Sequence, residues 1–290
     1  MICDLRKDIP TVLSIIQETP LGLPSGIQGL DDTVLGFSPG EMVIIAGRPG
    51  MGKSSLARDI MLKVGASDGE RGTILLCTLE MSVEEVVELL AANLAKIDYH
   101  AYKKGDCKDG IQSLFDRACA QLSSYNIIIN DDTYLTPNVL RGVLTELNTN
   151  DRICCVIVDY LQLMSLRCSV ESRQTEVAEI SRELKAIAKE FHLPVIAMSQ
   201  LNRNVDYRES CRPRLSDLRE SGAMEQDASK VILIHRPSYY DKEVNMNSKD
   251  TGEAELIIAK NRKGPMGIVR CAWMSEWMSF CDIPEDIEVF

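Results

Sequence analysis

The stretch that decides the fold is Gly47-Arg48-Pro49-Gly50-Met51-Gly52-Lys53-Ser54. An apolar run, residues 42–46, comes directly before it, and a segment patterned for a helix, residues 55–64, comes directly after it. Glycines in such a strand-loop-helix unit let successive backbone N–H groups point at one anion, and the start of the helix adds the positive end of its dipole. The sequence therefore predicts a phosphate-binding loop, in which Lys53 reaches the β and γ phosphates of a nucleotide and the Ser54 hydroxyl binds Mg²⁺.

Length and composition are ordinary for a globular protein. The chain has 290 residues, of which 45% are hydrophobic and 26% charged, and its apolar runs recur without a long linker between them. We therefore expect one large domain at residues 21–290 and a short N-terminal arm at residues 1–20. No run approaches the roughly 18 apolar residues that cross a bilayer, and the first residues do not lead into a signal peptide. These observations predict a cytoplasmic protein with no membrane partner.

Cysteine content and charge narrow the range of functions. The ten cysteines include no Cys-x-x-Cys pair and several lie in apolar runs, so reduced thiols are expected instead of disulfides or zinc ligands. A net charge of −11 argues against a protein whose whole surface binds nucleic acid. Charge is local, however, because residues 203–219 hold five arginines, and residues 260–270 hold four basic residues and no acid. Either segment could line an interface.

Helix and strand signals alternate along the chain. Strands are predicted at residues 73–79, 126–130, 153–158, 195–199, 231–235, 255–259 and 268–272. The capping box Ser82-Val83-Glu84-Glu85 predicts a helix over residues 83–97, and Thr136-Pro137 predicts the start of another, whereas residues 98–110 have the polar composition of a loop. Uninterrupted apolar strands between helices are typical of parallel sheets. We predict an α/β fold, with a mainly parallel sheet flanked by helices and antiparallel strands near the C-terminus.

Asp159 follows the buried strand predicted at residues 153–158. An acid at the carboxyl end of such a strand, beside the phosphate loop, fits a Walker B carboxylate that holds a Mg²⁺-bound water. Its simpler interpretation is an acid that only caps a strand. Tyr160 comes next, where many ATPases have a glutamate, so the base that activates water must come from elsewhere in the chain.

Glu80, at the end of the strand predicted at residues 73–79, is the first candidate for that base. If this strand lies next to the phosphate-loop strand, the carboxylate would face the γ phosphate and could orient water for in-line attack. Asp131 and Asp132 also end a strand and compete for this role. From position alone, Glu80 is equally well explained as a solvated acid.

Seven segments of the chain, in order, share one family pattern: the phosphate loop, Leu79-Glu80-Met81, Val158-Asp159-Tyr160-Leu161-Gln162-Leu163-Met164, Ala178-Glu179-Ile180-Ser181-Arg182, Ser199-Gln200-Leu201-Asn202-Arg203, Ser216-Asp217-Leu218-Arg219-Glu220-Ser221-Gly222 and Lys260-Asn261-Arg262. In these segments the chain resembles the C-terminal motor domain of the DnaB family of replicative hexameric DNA helicases, within the RecA-like ATPases. The resemblance covers about residues 10–280.

The resemblance implies roles for individual residues. The nucleotide, ATP with Mg²⁺, would be bound by Gly47, Arg48, Pro49, Gly50, Met51, Gly52, Lys53, Ser54 and Ser55. Glu80 would be the catalytic base, and Gln200 would sense the γ phosphate. Lys260 and Arg262 would reach the ATP of a neighbouring subunit, with the Arg262 guanidinium stabilising the charge of the transition state. Because these two residues are two positions apart, both side chains would lie on the same face of a strand.

The resemblance also implies partners. Arg219, Glu220 and Gly222 would face the channel of a hexameric homo-oligomeric ring and hold phosphates of single-stranded DNA, although without the resemblance this loop is an ordinary surface turn. Tyr239 and Tyr240 lie in a polar stretch, where a solvated loop is expected on composition and contact with a nucleotide base is the alternative. Primase or a helicase loader are the other partners implied.

The N-terminal end departs from the family pattern. A complete helicase of this family has an N-terminal domain that shapes the ring and recruits primase, and this sequence has no counterpart to it. Residues 9–18 instead resemble the short linker helix that docks on the adjacent motor domain.

The leading hypothesis is an ATP-driven DNA helicase motor that hydrolyses ATP at subunit interfaces, translocates on single-stranded DNA and unwinds duplex during replication. One alternative is a recombination or repair ATPase of the RecA or RadA kind, which would exchange strands without unwinding. The other is a non-catalytic module whose assembly is controlled by ATP, which would bind nucleotide without DNA-stimulated turnover.

Overall fold

The structure is a computed structural model that describes residues 22–66, 72–105, 110–149, 151–166, 172–218, 222–240 and 252–283. The N-terminal arm expected at residues 1–20 and the linker helix expected at residues 9–18 lie outside the described residues, so both stay predictions. The division of the chain into an arm and one large domain stays a prediction with them.

The described strands form one nine-stranded sheet. In chain order they are β1 Met42–Gly47, β2 Thr73–Thr78, β3 Ile127–Asn130, β4 Ile153–Asp159, β5 Val195–Gln200, β6 Lys230–His235, β7 Glu253–Asn261, β8 Gly267–Met274 and β9 Ser279–Cys281. Their order across the sheet is β3-β2-β4-β5-β1-β6-β7-β8-β9. Strands β1 to β6 are parallel and β7 to β9 are antiparallel, which confirms the predicted fold class.

Helices connect and cover these strands. The described α-helices are α1 Gln28–Val34, α2 Lys53–Gly65, α3 Val83–Ala95, α4 Tyr99–Lys103, α5 Ile111–Leu122, α6 Pro137–Leu147, α7 Arg173–Glu190 and α8 Gly222–Asp227. One-turn 3₁₀ helices occur at Leu161–Leu163, Arg203–Tyr207, Leu215–Asp217 and Pro237–Tyr240. The helices supply the apolar faces that bury the sheet on both sides.

The core has one layer on each face of the sheet. On one face α2 packs Leu56 and Ile60 against side chains of β1, and on the other face α7 packs Ile180 and Leu184. Every residue of β1 is buried, as expected for a parallel strand covered by helices on both sides. This burial fixes the carboxyl end of β1, from which the phosphate loop emerges.

Local sequence signals account for most element ends. Ser82 and Glu85 form the predicted capping box at the start of α3, and the Thr136 side chain accepts a hydrogen bond from Val139 N, 3.2 Å away, at the start of α6. The loop predicted at residues 98–110 is wrong in part, because α4 forms there. The Asp98 side chain caps this single turn by accepting from Ala101 N at 2.9 Å. A five-residue helix is too short for its apolar spacing to be recognised in the sequence.

The described cysteines are free thiols at positions 77, 119, 154, 155, 211, 271 and 281. Burial raises the pKa of the Cys77 thiol to about 12 and that of Cys271 also to about 12, so both stay protonated at neutral pH. Among the described helices, none has both the length and the apolar character that crossing a bilayer requires.

Candidate active site

The loop between β1 and α2 has the predicted strand-loop-helix form. Gly50 and Gly52 have φ angles of 80° and 98°, a backbone conformation that residues with a Cβ atom rarely adopt. Met51 N donates to Arg48 O at 3.2 Å, which closes the turn, and Gly52 directly precedes the first residue of α2. The backbone N–H groups at the start of α2 are therefore available to bind an anion.

Residues from the C-terminal part of the chain support this loop from outside. A Cβ atom at Gly52 would lie 2.8 Å from Phe280 Cζ and 2.9 Å from Trp273 Cζ3, so only glycine fits there. Arg236 Nη1 donates to Gly50 O at 3.0 Å, and its guanidinium carbon lies 4.2 Å from the centroid of the Trp273 ring. This aromatic and cationic layer holds the loop in shape before any nucleotide binds.

Tyr239 belongs to the same layer: it is exposed, as expected for a solvated loop, but one side of its ring also contacts the phosphate loop. A Cβ atom at Gly50 would lie 2.7 Å from the Tyr239 hydroxyl, so the ring sits directly against the phosphate loop. Tyr240 packs edge-on against Tyr239, with ring centroids 5.6 Å apart. The polar composition of this stretch concealed that its first residues, Pro237–Tyr240, form a 3₁₀ turn on the loop.

Lys53, Ser54 and Asp159 come together at the start of α2. Asp159 is buried at the end of β4 and is hydrogen-bonded to the Ser54 side chain. Burial raises the pKa of Asp159, although Ser54, Lys53 and Arg58 oppose the shift. Burial also lowers the pKa of Lys53, against the opposing charges of Asp159 and Glu80. The predicted phosphate-binding lysine and the predicted metal-binding pair therefore share one desolvated pocket.

These residues suit a divalent cation. Asp159 Oδ1 is buried and has no hydrogen-bond partner among the described residues, and such an atom is costly unless something binds it. A carboxylate and a hydroxyl are oxygen ligands of the kind that Mg²⁺ prefers, and Mg²⁺ typically takes only one or two ligands from the protein beside the nucleotide phosphates. Ser54 and Asp159 thus fit the role predicted for them.

Glu80 is expected to act as the base if β2 lies next to β1, the phosphate-loop strand, and this condition is not met. Strands β4 and β5 lie between β2 and β1. Glu80 nevertheless reaches the site from the side of Asp159, since β2 pairs with β4 in the register Thr78 to Asp159 and Leu79 N donates to Asp159 O at 2.8 Å. The exposed Glu80 carboxylate is close enough to raise the pKa of Lys53 by its charge.

The competing carboxylates are engaged elsewhere. Asp131 accepts from Val83 N, 3.2 Å away, at the start of α3. Asp132 accepts from Tyr134 N at 2.9 Å and so closes a local turn. Both follow β3, which is the edge strand of the sheet and lies beyond β2. Among the three acids, only Glu80 acts electrostatically on Lys53. This geometry favours Glu80 as the candidate base.

Gln200 lies beside the phosphate loop. Strand β5 is adjacent to β1, and the register pairs Gly47 with Gln200. The side chain of Gln162 holds this strand end: its Nε2 donates to Gln200 O at 3.2 Å, and its Oε1 accepts from Gln200 N at 3.2 Å. Gln162 lies in a recognised motif without a predicted role, and in the structure it holds the backbone of the predicted sensor in place.

Lys260 and Arg262 lie at the opposite end of the sheet. The register pairs Val43 with Lys230 and Lys230 with Asn261, while Gly47 lies further along β1 by about 13 Å at the usual strand rise. The Lys260 ammonium donates to the carbonyls of Glu225 and Gln226, and the Arg262 guanidinium also donates to the carbonyl of Gln226. Both cations are thus on one side, as predicted, and both are far from the phosphate loop of their own chain.

The residues predicted to bind DNA are described only in part. Arg219 and Glu220 lie outside the described residues, and Gly222 is the exposed first residue of α8. Just before them, Arg208 forms an ion pair with the buried carboxylate of Asp217. The DNA-binding role of the loop stays a prediction.

The sheet order, the phosphate loop after β1, the acid at the end of β4 and the polar residue at the end of β5 together define a RecA-like P-loop ATPase core. The family described as "DnaB-like helicase C terminal domain" matches residues 22–282. The chain belongs to this family, which confirms the resemblance found in the sequence.

Relatives and solved structures agree with this assignment. The chain is 37% identical to "Replicative DNA helicase DnaB" of Pasteurella multocida over 92% of its own length and 57% of the relative's. It is 39% identical to the protein of that name from Leifsonia xyli subsp. xyli, over 90% and 56% of the two chains. It therefore spans somewhat more than half the length of these relatives.

Among solved structures, "ATPase Domain of G40P" superposes with a TM-score of 0.87 at 33% identity, covering 98% of this chain and 100% of the other. "The Structure Of A DnaB-Like Replicative Helicase And Its Interactions With Primase" also gives a TM-score of 0.87 at 33% identity, over 97% and 69% of the two chains.

Proposed function

We propose that the chain is the ATP-hydrolysing motor of a replicative DNA helicase, active as a ring with ATP bound between neighbouring subunits. The observation that carries the proposal is the separation between the two halves of the site. Lys53, Asp159 and Gln200 surround the phosphate loop, whereas Lys260 and Arg262 lie at the other end of the sheet. A cation so placed cannot act on the nucleotide of its own chain, but it can act on that of a neighbour.

Hydrolysis would use the residues around the phosphate loop. Loop N–H groups and Lys53 would hold the phosphates of ATP. Mg²⁺ held by Ser54 and Asp159 would supply a positive charge that stabilises the phosphate oxygens. Glu80 would accept a proton from the attacking water, and Gln200 would contact the γ phosphate. The buried Asp159 Oδ1, which has no hydrogen-bond partner among the described residues, supports this arrangement, because a bound cation would satisfy it.

The second half of the site would come from the adjacent subunit. The contacts that Lys260 and Arg262 now make are to main-chain carbonyls of Glu225 and Gln226, and neither side chain forms an ion pair with a described residue. Phosphate oxygens are stronger acceptors for a cation than neutral carbonyls. Exchanging these carbonyls for a neighbour's triphosphate is therefore favourable, and it would stabilise the charge that develops in the transition state.

DNA binding and assembly complete the proposal. Single-stranded DNA would be held by Arg219, Glu220 and Gly222 inside a hexameric ring, which reconciles a net charge of −11 with DNA binding. A solved relative is named for its interactions with primase, which supports primase as a partner of this chain, and a helicase loader stays a prediction. A cytoplasmic location follows from this function and stays a prediction.

Mixing two inactive variants tests the shared site. We expect Arg262→Ala to lower DNA-stimulated ATP turnover by about 10³-fold, since it removes the cation on the transition state. Lys53→Ala should be inactive because it cannot hold the phosphates. In mixed rings, the intact phosphate loop of an Arg262→Ala subunit can meet the intact Arg262 of a Lys53→Ala subunit. Phosphate release by the mixture should therefore exceed the sum of the two variants measured separately.

The matched control mixes Arg262→Ala with the double variant Lys53→Ala/Arg262→Ala, which offers no intact interface. This mixture should stay inactive. Equal activity in both mixtures would show that the site lies within one subunit. Wild-type rings should also separate a forked duplex in the presence of ATP. Strand exchange without unwinding would instead favour the recombination ATPase, and nucleotide binding without turnover would favour the assembly module.

A further inference from the structure

Asp206 links three elements around the phosphate loop, although no sequence motif marks it. Arg48, inside the loop, donates to the Asp206 carboxylate from Nε at 3.0 Å and from Nη2 at 2.7 Å. Tyr240, from the turn that covers the loop, has its hydroxyl 3.3 Å from Asp206 Oδ1. Asp206 itself belongs to the segment that follows Gln200, in the 3₁₀ turn Arg203–Tyr207. One carboxylate therefore joins the loop, its cover and the segment after the predicted sensor.

The same arginine also fixes the backbone beside the sensor. Arg48 Nη1 donates to Leu201 O at 2.9 Å, and Leu201 N donates to Gly47 O at 3.2 Å. Leu201 directly follows Gln200, so the first bond adds to the β1–β5 ladder in holding the end of β5 beside the phosphate loop. The two-pronged contact with Asp206 gives the Arg48 guanidinium a single orientation, because planar Arg–carboxylate pairs fix geometry as well as energy.

The ion pair with Asp206 also determines where the charged group of Arg48 lies. The Asp206 carboxylate holds the Arg48 guanidinium against the segment after β5. Released from Asp206, Arg48 would be free to contact phosphate oxygens, including those of the product ADP. Asp206 would thus both align the sensor and limit how tightly the loop holds its product.

We propose that Asp206 is a positioning residue for ATP hydrolysis: through Arg48 it sets the distance between the phosphate loop and Gln200. The inference rests on the proposed ATPase function and names a residue that the family pattern did not. Asp206 does not touch the reacting atoms in this arrangement. It acts by holding Arg48, which lies within the phosphate loop.

A structural role alone is a weaker explanation. The Asp206 side chain is 37% exposed and that of Arg48 is 12% exposed. Ion pairs with a partner this accessible to water typically contribute little to stability. Removing the Asp206 charge should therefore leave the fold intact. Displacing a group that must meet the γ phosphate has a much larger effect on rate, because an error of about 1 Å can cost about 10²-fold.

The test compares Asp206→Asn, Asp206→Glu and Glu209→Gln in steady-state ATP hydrolysis. Glu209 is an exposed carboxylate in the same segment and has no hydrogen bond or ion pair with a described residue, so Glu209→Gln is a matched change of charge. We expect Asp206→Asn to lower kcat between about tenfold and a hundredfold with little change in KM for ATP. Asp206→Glu should recover most of the rate, and Glu209→Gln should behave as wild type. A fluorescent ADP analogue should bind Asp206→Asn more tightly.

The outcomes separate this inference from the proposed function. Wild-type protein without turnover would reject the ATPase itself. Active wild type with an unchanged kcat in Asp206→Asn would overturn the positioning role. Equal losses in Asp206→Asn and Glu209→Gln would assign the effect to net charge and also overturn it. A fall in melting temperature or a loss of ring assembly in Asp206→Asn would assign the residue to the fold or to a subunit contact instead, which is a third result against the proposal.

Discussion

The two ends of the central sheet differ in the charged groups that they carry and in how deeply these are buried: Asp159 is buried, whereas Lys260 is partly buried and Arg262 exposed. At the carboxyl end of β1, polar groups of one chain converge on a pocket whose Asp159 oxygen lacks a partner. At the other end, Lys260 and Arg262 are held by neutral carbonyls of α8. In the proposed function, the first end would take a cation and a triphosphate, and the second would lend its positive charge to a neighbouring chain. Each chain would then carry two halves of one reaction site at opposite ends of its sheet.

The proposed division of the site between the two ends of the sheet is tested most strongly by removing Lys53, the lysine expected to hold the phosphates. Lys53→Ala should lower ATP turnover by about 10³-fold and also abolish nucleotide binding, because it deletes the cation inside the pocket. Arg262→Ala should lower turnover similarly but leave nucleotide affinity nearly unchanged when measured on separated subunits. Equilibrium binding of a fluorescent ATP analogue to both variants checks the contrast. Equal weakening in the two variants would remove the distinction between the ends.

A slightly smaller effect is expected at Glu80. Glu80→Gln keeps the size of the side chain but cannot accept a proton, so hydrolysis should fall by about 10²-fold to 10³-fold while ATP binding persists. Single-turnover phosphate release alongside analogue binding measures both. Asp131→Asn is the control, since Asp131 caps α3 and should affect neither. A larger loss in Asp131→Asn than in Glu80→Gln would reassign the base to the competing acid.

The sequence predicted the part of this arrangement that depends on local patterns. Gly50 and Gly52 had to be glycine for their positive φ angles, and the run before Asp159 had to be a buried strand. Strand order across the sheet was not available from such patterns. For that reason the adjacency of β2 and β1 could enter only as a condition for Glu80, and the condition is not met even though Glu80 acts electrostatically on Lys53.

Side-chain partnerships across the fold were also beyond the sequence. Asp206 is separated from Arg48 by most of the chain, and nothing in its neighbourhood marks it. Gln162 lay in a recognised motif, but only the packing of β5 reveals that it holds the backbone of Gln200 in place. The polar composition of its segment did not predict the 3₁₀ turn that contains Tyr239, because a turn on the outside of a backbone loop needs few apolar residues.

The smallest of the predicted effects concerns stability at the Lys260 end. Glu41 is buried there and contacts two lysines of very different exposure: Lys230 at 2% and Lys263 at 70%, the latter 3.2 Å away. Lys230→Met should destabilise the fold by about 3 kcal/mol, since Glu41 loses its buried partner. Lys263→Met should cost less than about 1 kcal/mol. Denaturant unfolding of both variants gives the comparison, and equal losses would contradict it.

The pH dependence of this pair has a defined sign. Burial raises the pKa of Glu41, but its contacts with Lys230, Ser38 and Lys263 outweigh that effect and leave the pKa below its usual value. The wild type therefore gains stability from Glu41 above the pKa of the unfolded state and loses it as the pH falls through the lowered pKa. In Lys230→Met the burial effect is largely uncompensated, so the difference between the two proteins should shrink as the pH is lowered. A constant difference would show that packing, not charge, holds the pair.

The layer beneath the phosphate loop has a consequence for how the protein is made. Phe280 and Trp273 press against Gly52, and Asp59 accepts from Phe280 N at 2.8 Å and from the Ser279 hydroxyl at 2.8 Å. The phosphate loop, which lies near the beginning of the described chain, thus packs against β9, the last described strand. During synthesis the phosphate loop therefore leaves the ribosome long before the strand that it packs against. We expect the loop to take its final shape only after Phe280 has been added to the chain and has left the ribosome.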